Sequence, residues 1–133
     1  MGQSFSAGLS DAASVERLLE RRARYRRGHW AEFLASLALM LKGYQILARR
    51  YKSRSGEIDL IAIRGGKLAF VEVKRRPTLR DAQASITPKQ SLRLRRAAAQ
   101  WLAQRPRFSQ FDQRFDAVFV TPGAWPAHVT GGA

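Results

Sequence analysis

Two acidic residues in adjacent predicted strands have the spacing of a metal site. Residues 56–74 read GEIDLIAIRGGKLAFVEVK, with an apolar run on each side of Gly65 and Gly66. A Gly-Gly pair favours a two-residue hairpin loop because both glycines tolerate positive φ. With this loop, Asp59 lies directly opposite Glu72, and the two carboxylates project from one face about 5 Å apart. They repel each other at that separation, and a divalent cation between them would remove the penalty.

Lys74 completes the candidate catalytic group. It lies two residues beyond Glu72 on the same predicted face, where it could orient an attacking water or stabilise charge on phosphoryl oxygens. Glu57 falls opposite Lys74 and is expected to pair with it or tune it rather than to bind metal. Oxygen ligands without His or Cys favour Mg²⁺ or Mn²⁺ over zinc. Such an ion could polarise a phosphate and lower the pKa of a bound water.

Each strand acid also has a structural interpretation. Asp59 could form a salt bridge with an arginine on an edge strand, and Glu72 could bond to Lys67 or Lys74. Both acids are disfavoured inside apolar strands. Their occurrence at paired positions favours the metal site.

Glu32 is an acid in an otherwise apolar helical run, residues 30–41. It either lies on the hydrated face of the helix or points along the sheet toward Asp59. In the second case it needs a cationic partner or a metal, because a partly buried carboxylate is costly when unpaired.

The charge balance indicates a polyanionic partner. The 133 residues suffice for one domain, and 24 Lys and Arg against 10 Asp and Glu give a net charge of +14. Such a surplus favours nucleic acid and, less often, an anionic membrane surface. Arginines position a phosphate backbone without reading bases. The candidate nucleic-acid-binding residues are Arg22, Arg24, Arg26, Arg27, Arg54, Arg75, Arg76, Lys89, Arg93 and Arg96.

Composition also excludes several classes of site. The chain has no cysteine, so disulfides and thiolate metal sites are excluded, and two scattered histidines are too few for a zinc site. The apolar run at residues 30–41 is too short to span a bilayer. No signal peptide is visible at the N-terminus. We therefore expect a cytoplasmic protein without a membrane partner.

The elements that must position these residues follow from periodicity and turn signals. We expect disorder over residues 1–9, a helix from about Ala12 that Gly28 breaks or bends, and a second helical stretch to Leu41. Thr87 is the predicted N-terminal cap of a later helix that ends near residue 104, and Gln90 could complete a capping box with it. Strands are predicted at residues 44–52, 57–64, 67–75, 114–121 and 127–130, and residues 77–86 are a polar loop of unassigned conformation.

The order of the predicted elements indicates an α/β fold. Hairpin-linked strands are antiparallel, and a helical crossover brings the next strand in parallel through a right-handed connection. The prediction is a mixed β-sheet with flanking helices.

At this point the sequence resembles a known group of enzymes. An Asp early in one strand and Glu-x-Lys in the next resemble the PD-(D/E)xK nuclease superfamily, which has the restriction endonuclease-like fold. The longer pattern, over about residues 27–121, resembles the bacterial YraN family within it. The resemblance divides the chain into a basic extension, residues 1–26, and a nuclease-like domain, residues 27–133. The matching segments are Gly28 with Ala31-Glu32, Gly43-Tyr44-x-Ile46-Leu47, GEIDLI at 56–61, FVEVK at 70–74, Lys89-Gln90 and Arg114-Phe115-Asp116.

The resemblance implies a role for each matched residue. Asp59 and Glu72 would be metal ligands with the Val73 carbonyl as a third, and Lys74 would be the catalytic lysine. Glu32 would be an accessory acid.

Three further positions qualify the match. Gln90 matches a polar position near such sites, although the capping box would explain it equally well. Asp116 matches the pattern but is expected to bond to backbone or arginine rather than to metal. Ile58 stands where the superfamily often has proline.

Three functional interpretations follow. The favoured one is a Mg²⁺-dependent nuclease acting on DNA, with branched or damaged structures among the candidate substrates. The second is a nucleic-acid-binding protein with an inactive nuclease-like fold. The third is an assembly partner of DNA-processing machinery that uses Trp30, Trp101 or Trp125 on a surface. The choice between DNA and RNA, the mode of cleavage and the oligomeric state, a homodimer included, stay open.

Overall fold

A computed structural model describes the backbone of residues 2–133 and the side chains of residues 11–133. The chain divides into two units, residues 1–30 and residues 31–133. The elements in chain order are α1 (Gly2–Leu41), β1 (Gln45–Lys52), β2 (Glu57–Arg64), β3 (Lys67–Arg75), α2 (Leu79–Ala84), α3 (Pro88–Ala103), a 3₁₀ turn (Pro106–Phe108), β4 (Asp112–Val120) and β5 (Ala127–Val129).

The five strands form one mixed sheet in the order β1-β2-β3-β4-β5. Neighbouring strands are antiparallel except for β3 and β4, which are parallel. The crossover between β3 and β4 contains α2 and α3. The predicted mixed sheet with an antiparallel hairpin and a helical crossover is therefore confirmed.

The hairpin of β2 and β3 has the predicted register. Five pairs run from Arg64 with Lys67 to Leu60 with Val71. Gly65 has φ +59°, a conformation that a residue with a side chain rarely adopts. The recorded ladder ends at the Leu60 pair, one residue short of Asp59.

The predicted pairing of Glu57 with Lys74 is wrong. Glu57 pairs with Lys52 on β1, and Lys74 pairs with Phe119 on β4. The β2–β3 ladder contains neither this pair nor the predicted pair of Asp59 with Glu72, and the Lys74 ammonium binds Glu72 rather than Glu57.

Helices cover both faces of the sheet within residues 31–133. Ala31, Ala35 and Leu39 of α1 pack against one face, where Leu60 and Val71 are fully buried. These positions are spaced by four, as one side of a helix requires.

The opposite face is covered by α3. Its buried residues Leu94, Ala97, Ala98 and Trp101 pack against Phe70 and its neighbours. The apolar side predicted for this helix is confirmed. Trp101 is 2% exposed, so its proposed use as a surface contact is wrong.

Three local expectations need correction. Helix α1 continues through Gly28, because one helical glycine costs only about 1 kcal/mol. Residues 2–9, for which disorder was expected, belong to α1, and Met1 lies outside the described residues. The segment 77–86 contains α2, whose cap is Thr78: its Oγ1 accepts a hydrogen bond from the Asp81 N–H at 3.1 Å.

Candidate active site

The carboxylates of Asp59 and Glu72 line one cavity, as their spacing predicts. Its volume is about 340 Å³, and its wall also includes Gln90 and Arg93 of α3. The start of β2 and the end of β3 meet here because the two strands are antiparallel. The sheet and α3 therefore bring two acids, an amide and a guanidinium to one place.

Asp59 is largely buried and has an unusual ionisation. Burial, then the negative charge of Glu72, and then that of Glu32 raise its pKa from 3.8 to about 7. A hydrogen bond from the Val73 N–H to Asp59 Oδ2, 2.7 Å long, acts in the opposite direction. Since β2 is an interior strand, the edge-strand interpretation of Asp59 is wrong.

Glu72 and Lys74 form an ion pair inside the site. Lys74 Nζ lies 3.1 Å from Glu72 Oε1, and the two side chains are 11% and 20% exposed. Glu72 thus has one of the two lysine partners that the structural interpretation named, but both residues lie on β3, so the expected cross-strand bond is not observed; Lys67 pairs with Asp112. The ion pair holds the ammonium at the carboxylate of Glu72, whereas Lys74 itself is not among the residues that line the cavity.

Glu32 is held by a cation rather than turned to solvent. Its Oε2 accepts a hydrogen bond from Arg50 Nε at 2.6 Å, and the Glu32 side chain is 17% exposed. Its charge reaches Asp59, since it contributes to the raised pKa of that residue. Glu32 therefore follows neither predicted placement in full: it is not turned to solvent, it does not line the cavity of Asp59 and Glu72, and Arg50 is the cation that its carboxylate requires.

Thr87 caps α3 as predicted, but the capping box predicted for Gln90 is not formed, because its side-chain oxygen accepts no hydrogen bond from the Thr87 N–H. The Gln90 backbone N–H donates to Thr87 Oγ1 at 3.2 Å, so the predicted helix cap is confirmed. Its side-chain Oε1 is buried and has no hydrogen-bond partner among the described residues. A buried, unsatisfied oxygen in a cavity wall is costly and needs a water or a ligand.

The turn between β1 and β2 forms another part of the wall. Ser53 Oγ donates to the Gly56 carbonyl at 2.8 Å and accepts from the Gly56 N–H at 3.2 Å. Gly56 has φ +155°, and a Cβ there would lie 3.2 Å from the Cβ of Arg93. Glycine is therefore required for the close approach of this turn to α3.

The basic residues proposed to bind nucleic acid are all exposed. Arg93 lines the cavity, and Arg75 and Arg76 directly follow Lys74. Lys89 and Arg96 lie on α3, and Arg54 lies in the turn before β2. The remaining four, Arg22, Arg24, Arg26 and Arg27, lie on α1 within the unit that precedes residue 31.

The donor groups of the cavity fit magnesium better than zinc. Among the described residues, no three His, Cys, Asp or Glu side chains form a group that could hold a metal. Mg²⁺ needs fewer protein ligands, because it keeps several waters and uses one or two carboxylates together with substrate phosphates. Asp59 and Glu72 supply that number, and the unsatisfied Gln90 oxygen could bind a coordinated water. The role of the Val73 carbonyl stays a prediction.

A second buried acid has a different environment. Asp116 accepts hydrogen bonds from the Arg114 guanidinium, from His128 Nε2 at 2.8 Å and from the Gly131 N–H at 3.0 Å. Burial opposes its ionisation, but these donors together hold its pKa down at about 2. The prediction that Asp116 bonds to arginine and backbone is confirmed.

Sequence reasoning missed two partners of the acids. His128 lies twelve residues from Asp116 on the short strand β5, and no spacing rule connects them. Arg50 is one of many arginines, and only its backbone distinguishes it, with φ +50°. Both contacts depend on tertiary structure.

Comparison with known proteins places the chain in a family without assigning an activity. The model of "Uncharacterised protein family UPF0102" matches residues 31–120. A UPF0102 protein of Methylobacterium nodulans is 53% identical over 109 residues, 82% of this chain and 84% of that protein. One of Chelativorans sp. is 48% identical over 115 residues, covering 86% and 93%, and one of Methylocella silvestris is 53% identical over 110 residues, covering 83% and 89%. None of these names states a reaction.

No helix in residues 2–133 combines the length and the apolar character that crossing a bilayer requires.

Proposed function

The chain belongs to the UPF0102 family, and we propose that it is a divalent-metal-dependent nuclease that cleaves phosphodiester bonds in DNA. The observation that carries this proposal is the shared cavity of Asp59 and Glu72, with Lys74 bonded to Glu72. A carboxyl with a strongly raised pKa in a cleft is typical of functional sites. The mixed sheet, with both acids on one hairpin and a parallel strand after the crossover, supports the restriction endonuclease-like placement.

Asp59 and Glu72 would hold Mg²⁺ or Mn²⁺. When bound, the ion would polarise the scissile phosphate and lower the pKa of a water. The bound cation would also offset the repulsion among the carboxylates, since the negative charges of Glu72 and Glu32 both act on Asp59. This electrostatic cost of the metal-free state favours a cation in the cavity.

Lys74 would act on the substrate from its place beside Glu72. It is nearly buried, and its Nζ is 3.1 Å from Glu72 Oε1, so its position is set before substrate arrives. A preorganised ammonium can donate a hydrogen bond to a phosphoryl oxygen or to the attacking water. Gln90 would orient a water through its unsatisfied oxygen.

The exposed arginines would hold the substrate backbone. Arg93 is in the cavity wall and could contact a phosphate next to the scissile bond. Arg75 and Arg76 extend the positive surface from Lys74, and such contacts position a backbone independently of its sequence.

A second function has one observation in its favour. Glu72 is already neutralised by Lys74, and no group of three metal-binding side chains is present among the described residues. Both features would suit a protein that binds nucleic acid without cleaving it. We rank the nuclease first because such a binding protein would not need a buried acid with the raised pKa of Asp59.

The test is cleavage of a panel of linear, single-stranded, flapped and four-way DNA with Mg²⁺ or Mn²⁺. We expect cleavage of at least one substrate, no cleavage in EDTA, and a loss of at least about 100-fold in Asp59→Ala, Glu72→Ala and Lys74→Ala. DNA binding in EDTA should persist in all three variants, because arginines hold the backbone. Binding with no cleavage under any condition would favour the second function.

A further inference from the structure

Arg50 has a backbone conformation that its side chain disfavours. Its φ is +50°, and among the described residues it is the one non-glycine residue with positive φ. A Cβ makes this left-handed region costly, and such strain concentrates at functional sites. The conformation of Arg50 therefore requires a reason beyond strand geometry.

The strained residue lies on β1 at the level of Asp59. Arg49 pairs with Leu60 and Tyr51 pairs with Ile58, which leaves Arg50 and Asp59 between the two pairs. From this position the Arg50 guanidinium reaches across to α1, where Nε donates to Glu32 Oε2 at 2.6 Å. The contact joins the helix and the strand next to the candidate metal site.

The carboxylates of Asp59, Glu72 and Glu32 interact electrostatically, and two of them form an ion pair with a basic side chain. Lys74 offsets Glu72 at 3.1 Å, and Arg50 offsets Glu32 at 2.6 Å. Among the described residues, Asp59 forms no side-chain ion pair, and its carboxylate accepts a hydrogen bond from a neutral donor, the Val73 N–H. Arg50 is thus the cation bound to the carboxylate of Glu32, whose negative charge acts on Asp59.

We propose that Arg50 is a positioning residue that fixes Glu32 away from the cavity and thereby limits the affinity of the Asp59–Glu72 site for divalent cations. This inference rests on the proposed metal site. Without the guanidinium, Glu32 keeps its full charge and is free to turn toward the ion. A divalent cation then binds more tightly.

The matched variants are Arg50→Asn and Arg49→Asn. Asparagine tolerates the left-handed region better than arginine, so Arg50→Asn removes the cation without adding strain. Arg49→Asn removes the same charge at the next residue, which is exposed and pairs with Leu60. Glu32→Gln, alone and combined with Arg50→Asn, tests whether Arg50 acts through Glu32.

The readout is Mn²⁺ affinity of the DNA-free protein by isothermal titration calorimetry, with the melting temperature measured in parallel. In Arg50→Asn we expect the Kd to fall about three- to tenfold, as loss of one nearby countercharge predicts. Arg49→Asn should change it less than about twofold. The gain should disappear in the Glu32→Gln background. The melting temperature of Arg50→Asn serves to show that the variant is folded, because relief of the backbone strain and loss of the Glu32 ion pair act in opposite directions.

The outcomes that overturn the inference are separate from those that overturn the nuclease proposal. An unchanged or raised Kd in Arg50→Asn, or a gain that persists in Glu32→Gln, overturns the role of Arg50 alone. Absence of Mn²⁺ binding by the DNA-free wild-type protein overturns the inference, whereas the nuclease proposal is decided by metal-dependent DNA cleavage. If Arg50→Asn and Arg50→Gly both fail to fold, Arg50 is a structural residue and the inference is also overturned.

Discussion

At the scale of single residues, two acids on interior strands of one sheet have opposite environments, one half-buried and the other fully buried. Asp116 has three donors, and its pKa is held at about 2. Asp59 has one backbone donor and two acidic neighbours, and its pKa is raised to about 7. A satisfied acid of the first kind stabilises the fold, whereas an acid of the second kind is costly without a ligand.

The raised pKa of Asp59 predicts a pH dependence of stability. The unfolded chain loses the Asp59 proton near its ordinary pKa of 3.8, but the metal-free folded protein keeps it until about pH 7. The free energy of unfolding should therefore fall between these pH values, by about 2–4 kcal/mol. Urea denaturation in EDTA measures this fall. Asp59→Asn should flatten this part of the profile, and an identical fall in the variant would refute the assignment.

The lowered pKa of Asp116 predicts the opposite dependence. Its contribution should be complete above its unfolded pKa of 3.8 and should be lost as the pH falls toward 2. At neutral pH, Asp116→Asn should cost about 2–4 kcal/mol, since it leaves the partly buried Arg114 guanidinium without its countercharge. The control is Asp112→Asn, because Asp112 pairs with Lys67 at the surface, at 3.5 Å, and should cost below about 1 kcal/mol. Equal costs in the two variants would contradict the prediction.

At the scale of elements, local signals predicted the parts of the site that local rules govern. The Gly65-Gly66 turn fixed the hairpin register, and Thr87 with Pro88 fixed the start of α3. Glycine at position 28 was a false signal, because a helix tolerates one glycine. Helix α2 was missed because it has only six residues, Leu79–Ala84.

Contacts between distant elements lay beyond the sequence. The bond of Arg50 to Glu32 joins β1 to α1, and the bond of His128 to Asp116 joins β5 to β4. In both pairs the two residues are far apart in the sequence, and no rule of sequence spacing connects them. Only the acids could be recognised in advance, because charged residues inside apolar strands require some partner.

Gly56 provides a test of how the β1–β2 turn shapes the cavity. Gly56→Ala should cost about 1–3 kcal/mol, because φ is +155° and the added Cβ would lie 3.2 Å from Arg93. It should also weaken Mn²⁺ binding by displacing α3 from the acids. Gly66→Ala is the control, since a Cβ there would meet nothing within 4 Å. Thermal denaturation and calorimetry would detect the difference, and equal behaviour of the two variants would exclude a shaping role for Gly56.

At the scale of the whole molecule, charge is the dominant property. A net charge of +14 on 133 residues gives a long-range attraction for polyanions that depends little on details of the fold. The acids of the cavity lie within this positive background. Binding and cleavage should therefore depend on different residues.

The salt dependence of DNA binding tests the role of the basic surface. Affinity should fall steeply between about 50 and 200 mM salt and vary little with base sequence. Arg93→Gln should weaken binding and reduce the slope of log K against log salt by about 1. Arg107→Gln, the same change beyond the other end of α3, should have less effect if phosphates lie over the cavity. Fluorescence anisotropy in EDTA is suitable, and a salt-independent affinity would contradict the prediction.

The most direct test of the metal site is anomalous diffraction from crystals containing Mn²⁺. We expect one anomalous peak between Asp59 and Glu72, about 2.0–2.3 Å from a carboxylate oxygen of each, and no peak in Glu72→Gln crystals. Metal-dependent DNA cleavage by the same preparation, with no anomalous peak at these two carboxylates or with a peak elsewhere, would contradict the assignment of the site.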